Sequence, residues 1–365
     1  MIASRKSKAI GLFSGGLDSI LATKLMTEQG VEVIALNFQV PFPAPGHTFT
    51  EDRLRRYAES AGASLVSVEV GPDYLDIVKE PAHGYARGLA PCVDCVLYML
   101  AKARELAQQT KSDFIFTGEV IGQRVHCQNK RSLKLMEKAS RTEGRLLRPL
   151  SAKLLEPTIP ELTGMVRRER LLDLKGRGRR RQIRLASEFG ILDYPQPTGG
   201  CLLIDKNFGA RIRDLLVFDQ LEPGRAELLP VGRHFRLDSG AKVVVGRNRD
   251  ENERIERLAR EEDTVCRPVE VMGPTALLRS KKVTKKDTEI AARLCARYSD
   301  RTDDKPVKMD CAGKEMKVKP AAADDIERWL IQMEKKEEKP KDDVAGNEGQ
   351  SEAGSDRADS AEASG

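Results

Sequence analysis

The chain has 365 residues, 40% of them hydrophobic, which suits two packed domains and excludes a fibrous or wholly unfolded polymer. No apolar run approaches the ~20 residues of a membrane span, and the opening MIASRKSKAIGLF runs straight into SGG, unlike a secretory signal. A cytoplasmic protein is expected, its seven cysteines reduced, metal-bound or reactive rather than disulfide-paired, and its net charge of +6 unevenly spread: residues 334–365 hold ten acids and five bases, leaving +11 on the rest and pointing to a polyanionic partner.

Apolar runs at 8–13 (KAIGLF), 31–38 (VEVIALNF), 64–70 (SLVSVEV) and 113–119 (DFIFTGE) predict strands, with helical patterns between them at 18–29, 51–61 and 95–109. Near-continuous apolar strands alternating with helices predict an α/β domain over residues 1–160, a parallel doubly wound sheet covered on both faces. Such sheets bind ligands beyond the carboxyl ends of their strands. SGGLDS, NFQVPF and TGEVIGQR all fall at that edge. Residues 161–205 read as helices with a basic hinge, ending in a cysteine loop, PTGGC. Residues 206–333 then read as a smaller α+β module. Its strands ELLPVGRHFRL and AKVVVGRN meet at an Asp238-Ser239-Gly240 hairpin turn. Helices at 250–260, 286–297 and near 324–333 follow, with strand-like RPVEVMGPTALLR and VKMDCAGKEMKV among them. The tail, 334–365, is rich in Gly, Ser, Ala and acids without aromatics, so disorder is expected there.

Ser14-Gly15-Gly16-Leu17-Asp18-Ser19 stands where the first strand hands over to the first helix. Paired glycines let backbone N–H groups face a ligand, and the helix N-terminus adds orphan donors and a positive dipole end. The stretch resembles the signature of the pyrophosphate-loop (PP-loop) ATPases, an adenine nucleotide α-hydrolase-like fold. That resemblance implies ATP cleaved between the α and β phosphates, with a substrate oxygen adenylated and Mg²⁺ on the phosphates. It also implies adenine near Leu36, Asn37 and Phe38, with Gly118 flanking the nucleotide. The phosphates need polar or basic neighbours, for which Gln123 and Arg124 of the TGEVIGQR loop are candidates, with packing or salt-bridging as the other reading of each.

Cys92 and Cys95 form a CxxC at the start of a helix, and Cys201 lies far downstream. A thiolate at a helix N-terminus is stabilised by the dipole, which marks Cys95 as reactive or ligating. Three readings stay open: a [4Fe–4S] cluster with one iron lacking a cysteine, a persulfide-carrying pair with the third cysteine incidental, or a buried trio or incomplete zinc site. PCVDCVLYMLAKA and PTGGCLLI resemble the two cysteine motifs of tRNA 2-thiouridylases, which implies that Cys95 and Cys201 handle sulfur. That family has an aspartate where this chain has Cys92, so a third thiolate replaces an acid, the feature that speaks for the cluster. Asp94 is left as a candidate base or a helix-cap residue. Cys266 and Cys295 sit in apolar patterns and are expected in the core. Cys127, close behind the GQR loop, is a candidate to approach the site.

Residues 164–184 hold nine bases and two acids, mostly arginine, which suits phosphate forks. RNA is the expected counter-charge, through Arg167, Arg168, Arg177, Arg179, Arg180 and Arg181. Residues 8–205 resemble 4-thiouridine-synthase-like and thiouridylase-like proteins. Val245-Gly246-Arg247-Asn248 with Glu251-Asn252 resembles the NFACT-R RNA-binding domain, which adds Arg247 to the RNA contacts. Neither a THUMP nor a rhodanese domain is recognisable, which implies an external sulfur donor. The resemblances together imply an ATP-dependent tRNA uridine sulfurtransferase. An amidating PP-loop ligase and a non-catalytic RNA-binding factor are the other classes open to this sequence.

Overall fold

The computed structural model describes residues 5–42, 49–196, 200–218, 220–300 and 305–332, so the expected disordered tail lies outside the described residues. The apolar runs form β1 (Lys8–Leu12), β2 (Glu32–Gln39), β3 (Ser64–Glu69) and β4 (Phe114–Thr117), joined by a short β5 (Leu146–Leu147). Every pairing is parallel, in the order β3-β2-β1-β4-β5. Alternation along the strands fills two cores. Ala9, Val33, Ala35, Phe114 and Phe116 face one side, against α1 (Leu17–Thr27) and α2 (Glu51–Ser60). Ile10, Ile34, Leu36 and Ile115 face the other, against Leu100 and Ala103.

The remaining helices of this half are α3 (Pro72–Lys79), α4 (Cys92–Thr110), which carries Leu100 and Ala103, α5 (Lys130–Ala139), the single turn α6 (Ile159–Leu162) and α7 (Arg180–Glu188). The hinge at 161–205 was expected to be helical. Of its described residues only α7 forms a helix longer than one turn; the end of α6, 3-10 turns at Arg168–Arg170 and Leu202–Ile204, and an extended strap make up most of the rest. The reason is visible in the hydrogen bonds: Leu172 and Leu174 donate to the carbonyls of Pro149 and Leu150, so the strap takes its partners from the sheet side rather than from itself.

The second half begins with α8 (Lys206–Val217) and the single turn α9 (Pro223–Ala226). It builds an antiparallel sheet, β11-β10-β8-β9-β7-β6, from β6 (Arg233–Arg236), β7 (Lys242–Val245), β8 (Thr264–Pro268), β9 (Ala276–Arg279), β10 (Val307–Cys311) and β11 (Lys314–Val318). Helices α10 (Arg249–Leu258), α11 (Lys285–Arg297) and α12 (Ala323–Trp329) accompany it, and α11 packs Ile290, Leu294 and Cys295 into the core. Cys295 and Cys266 are in the core as expected. The expectation of wholly unpaired cysteines fails at Cys266 and Cys311, which form a disulfide. The antiparallel register of β8 and β10 sets these two buried residues directly opposite each other. Among the described residues no helix is long and apolar enough to cross a membrane.

A third core ties the halves together. Phe208, Ile212 and Leu215 of α8 bury against Tyr74, Leu75 and Val78 of α3. The other side of α8 presents Asp214 to the antiparallel sheet, where Arg236 grips it through Nε (2.8 Å) and Nη2 (2.7 Å) and Lys242 adds a second cation. Burial works against both charges. For Asp214 the hydrogen bonds and charges of Arg236 and Lys242 outweigh burial and hold its carboxyl below the ordinary value. For Lys242, sharing one carboxylate with Arg236, burial wins and the ammonium is pulled down to about 7.

Replacing one partner of such a buried pair costs roughly 3–5 kcal/mol. Asp214→Asn should fall at the low end of that range in urea unfolding at pH 7, because Lys242 can shed its proton. Since Asp214 titrates below its unfolded value of 3.8, its contribution is present above that pH and fades as the pH drops through the folded value. The difference between wild type and Asp214→Asn should therefore shrink on acidification below pH ~4; a constant difference down to pH 2 would count against the pair.

Candidate functional site

Two loops at the carboxyl edge of the parallel sheet build the site. The first turns from β1 into α1. Gly15 sits at φ +75°, in left-handed backbone, and a Cβ there would lie 2.7 Å from the Leu54 side chain. Gly16 is extended and caps α1; its N–H donates to Ser14 Oγ at 3.3 Å, while Ser19 Oγ donates to the Gly16 carbonyl at 2.8 Å. The first amides of α1, from Leu17 onward, have no intrahelical acceptor, and the dipole adds positive potential. A turn of this kind has the donors to seat an anion.

The second loop leaves β4. Gly118 touches the first: a Cβ on it would come within 2.7 Å of the Ser19 nitrogen and 2.8 Å of the Asp18 carbonyl. Farther on, Gln123 donates from Nε2 to Asp18 Oδ2 at 2.9 Å, and Arg179 Nη2 stands 3.8 Å from the same oxygen. Behind the loop, buried Arg148 donates from Nε to Glu119 at 3.0 Å and also pairs with Glu137. Of the three expected adenine neighbours, Leu36 is in the core and its carbonyl accepts from Phe13 N–H. The Asn37 amide donates to the Phe13 carbonyl at 2.8 Å, holding the end of β1. Only Phe38 keeps part of its side chain uncovered.

The cysteines gather on the other side of the same loop. Cys92, Cys95 and Cys201 all pack on the core shared by α3 and α8. The helix begins at Cys92, three residues ahead of the sequence expectation, so Cys92 holds its first turn while the Cys95 N–H already donates to the Pro91 carbonyl. Buried Cys127 donates its thiol proton toward Cys92. That hydrogen bond, with the nearby Arg124 guanidinium, overcomes burial and brings Cys92 down to about 7. Cys127 is itself pushed far up by the same contact and by burial. Burial pushes Cys95 up to about 12, against the help of a 3.4 Å contact with the Tyr74 hydroxyl, and raises Cys201 as well. One thiol of the four is thus poised to ionise, and the other three are held protonated.

A metal test gives a divided answer. The donor type, three thiols packed on one core, is the kind an iron–sulfur cluster takes. Yet among the described residues no group of three His, Cys, Asp or Glu side chains is already arranged to hold a metal ion. Asp94 is occupied elsewhere: its Oδ2 accepts from the His83 N–H at 3.0 Å, and its Oδ1 lies 2.8 Å from His83 Nδ1.

The arginines divide as well. Arg177 and Arg180 are exposed and make no ion pair among the described residues. Arg167 is exposed too, its N–H bound to Gln29. Arg181 pairs with Asp173 at 2.6 Å, Arg168 is spent on Glu161 and the Leu155 carbonyl, and Arg247 pairs with Glu251. Arg179 alone of the group turns inward, to Asp18. The sequence reading missed Tyr74 and the Glu119–Arg148–Glu137 brace. Glu119 directly follows Gly118 and could have been suspected; nothing in the sequence marks Tyr74 or Arg148.

Residues 4–154 match the family model of the thiamine biosynthesis protein ThiI, and residues 232–330 match that of the NFACT protein RNA binding domain. Among solved structures, the chain is similar to a 4-thiouridine synthetase in complex with RNA and ATP. The identity is 18% and the TM-score 0.36, over 60% of this chain and 53% of that one, so this chain spans about half of that protein's length. It is also similar to the C-terminal part of the fibronectin/fibrinogen-binding protein of Streptococcus suis (15%, TM-score 0.26, covering 66% and 90%). A further likeness is to NMN synthetase from Francisella tularensis (16%, TM-score 0.26, covering 45% and 74%). Likenesses this distant specify no reaction. No curated protein matches the sequence.

Two outcomes follow from this geometry. Gly118→Ala must push the second loop off the first, so its affinity for Mg·ATP should fall at least tenfold by calorimetry, a loss of about 1.4 kcal/mol or more. In the reduced, metal-free protein, alkylation of Cys92 by iodoacetamide should rise tenfold per pH unit below 7 and level off above 8, because the thiolate is the nucleophile. Peptide mapping would follow it, and Arg124→Ala should move the midpoint upward. A rate still climbing at pH 9 would overturn the Cys92 assignment.

Proposed function

We propose that this protein is an ATP-dependent tRNA uridine sulfurtransferase, which adenylates a uracil carbonyl oxygen and then replaces that oxygen with sulfur. One observation carries the reading. The adjacent residues Gln123 and Arg124 join two kinds of site: Gln123 binds Asp18 of the phosphate loop, and Arg124 is close enough to act on the Cys92, Cys95 and Cys201 thiols. A phosphate seat beside clustered thiols suits a reaction that turns an oxygen into a leaving group and then delivers sulfur. The family-model matches at the two ends agree with it, one tied to thiolation enzymes and one to RNA binding.

In this reading Ser14–Ser19 hold the ATP phosphates, and Asp18, whose Oδ1 has no hydrogen-bond partner while Oδ2 accepts from Gln123, is the carboxylate that meets Mg²⁺. The uracil oxygen forms a bond to the α phosphorus as the bond to pyrophosphate breaks, and the base loses its N3 proton. Arg124 then balances negative charge between the AMP leaving group and the Cys92 thiolate. An external persulfide donor passes its outer, sulfane sulfur to one of Cys92, Cys95 and Cys201 and leaves as a thiol. The terminal sulfur of that persulfide bonds to the activated carbon as AMP departs, and a second cysteine of the three attacks the inner sulfur, freeing the thiocarbonyl and closing a disulfide that an external thiol reduces. The same three residues would ligate a [4Fe–4S] cluster. Such a cluster would supply an iron that binds sulfide. Loading one requires Cys92 to turn away from Cys127. The exposed Arg167, Arg177 and Arg180, with the 232–330 module, hold the tRNA.

The test uses the full-length protein with bulk tRNA, ATP and either sulfide, which a cluster iron would take, or a small-molecule persulfide with a thiol reductant, which the cysteines alone would take. Two assays are read: pyrophosphate release, and thiouridine by mass spectrometry of digested tRNA. Wild type should give both. Cys95→Ala should lose thiouridine by about 10³-fold or more while still releasing pyrophosphate, whereas Asp18→Asn should lose both. Pyrophosphate release that ignores tRNA would sink the proposal in favour of a small-molecule ligase. For the cluster, anaerobically purified protein should carry about four irons per chain, lost in Cys92→Ala; iron-free wild type would leave the thiols as the sulfur carriers.

A further inference from the structure

We infer that Arg179 is a phosphate-binding arginine of the ATP site rather than an RNA contact, and that Asp18 holds it in reserve until Mg·ATP arrives. This rests on the reading of Ser14–Ser19 as the ATP loop.

The placement of Arg179 is built from both sides. Ahead of it, the strap runs against the second loop: the Gly176 N–H donates to the Ile121 carbonyl at 2.7 Å, and Lys175 and Ile121 form a parallel bridge. Buried Ser151 locks the two strands together, donating from Oγ to the Leu174 carbonyl at 2.7 Å and accepting from the Ile121 N–H at 3.1 Å. Behind it, α7 buries Gln182 and Ala186, and Ala186 joins the core of α1. A residue clamped in this way is aimed. It is aimed at Asp18.

Its local chemistry is unusual for structure alone. Arg179, Arg180 and Arg181 crowd the N-terminal turn of α7, which has no acid, so cations sit at the positive end of the dipole. That placement is electrostatically unfavourable. The 3.8 Å approach to Asp18 is long for a compensating pair. Moreover, Arg179 Nε and Asp18 Oδ1 are both buried without a hydrogen-bond partner. A donor and an acceptor facing one anion seat, each incompletely used, fit an incoming dianion with its metal: the metal takes Asp18, and the released guanidinium takes phosphate oxygens in a two-pronged contact. When the uracil oxygen bonds to the α phosphorus, the electrons of the breaking bond pass to pyrophosphate, and Arg179 meets that charge.

The experiment compares Arg179→Ala, Arg179→Lys and Arg180→Ala in the full-length protein. It measures tRNA-dependent pyrophosphate release across ATP concentrations, Mg·ATP affinity by calorimetry, tRNA affinity by filter binding, and thermal melting. Loss of one such donor typically costs about 10²–10³ in rate. Arg179→Ala should therefore lower kcat/KM for ATP by about that factor with tRNA affinity within twofold of wild type. Arg179→Lys should melt with wild type and recover only part of the rate, since a point charge lacks the fork. Arg180→Ala should instead weaken tRNA binding severalfold. The inference is overturned if Arg179→Ala keeps its ATP kinetics and loses tRNA affinity, or if Arg179→Lys equals wild type. Wild type that releases no pyrophosphate would defeat the sulfurtransferase reading. The calorimetry would still decide the role of Arg179: Arg179→Ala must then bind Mg·ATP at least tenfold more weakly than wild type.

Discussion

The close approach of Gly118 to the backbone of Asp18 and Ser19 is the contact on which the site depends. Backbone on backbone at this distance leaves no room for a methyl group, so the exit of β4 is pinned to the start of α1. From that pin the second loop can reach in two directions, Gln123 to the phosphate turn and Arg124 to the thiols. The Arg148 brace keeps the loop from relaxing: a buried guanidinium joins Glu119, next to Gly118, to Glu137 on α5. The cost of burying that charge is offset by two carboxylates, and the gain is position.

Charge also sorts the cysteines. Four thiols in one neighbourhood cannot all ionise, because each thiolate raises the others. The structure resolves the competition by geometry. Cys92 opens α4, lies near Arg124 and accepts from Cys127, so it takes the negative charge. Cys95, one turn deeper and against Tyr74, and Cys201 stay neutral. The spacing C-x-x-C alone could not reveal this order, since it depends on Cys127, thirty-two residues beyond Cys95, arriving with the second loop.

The sheet and the phosphate turn were legible because each is local: apolar runs of strand length, then glycines before a helix. The hairpin at 238–240 was legible for the same reason. What escaped depended on register or on long-range packing. Cys266 and Cys311 share no motif; they meet because β8 and β10 align them. The strap at 171–176 carries leucines and bases that imitate a helix, but its hydrogen bonds go to neighbouring loops. The arginine run read as one basic surface, whereas the fold spends Arg168 on Glu161, pairs Arg181 with Asp173 and turns Arg179 inward. Asp94, a candidate base by sequence, serves instead to hold the His83 loop.

The third core, around α8, makes the junction between the halves a packed one. Cys201 precedes α8 by only a few residues, and α8 is fastened on one side to α3 and on the other to Arg236 and Lys242. Among the described residues, the antiparallel sheet and the loop that holds Cys201 are thus joined through one short helix. The two halves therefore share buried surface through α8 as well as a continuous backbone. Cutting the chain between them would strip the apolar face from α3 as well as remove a module.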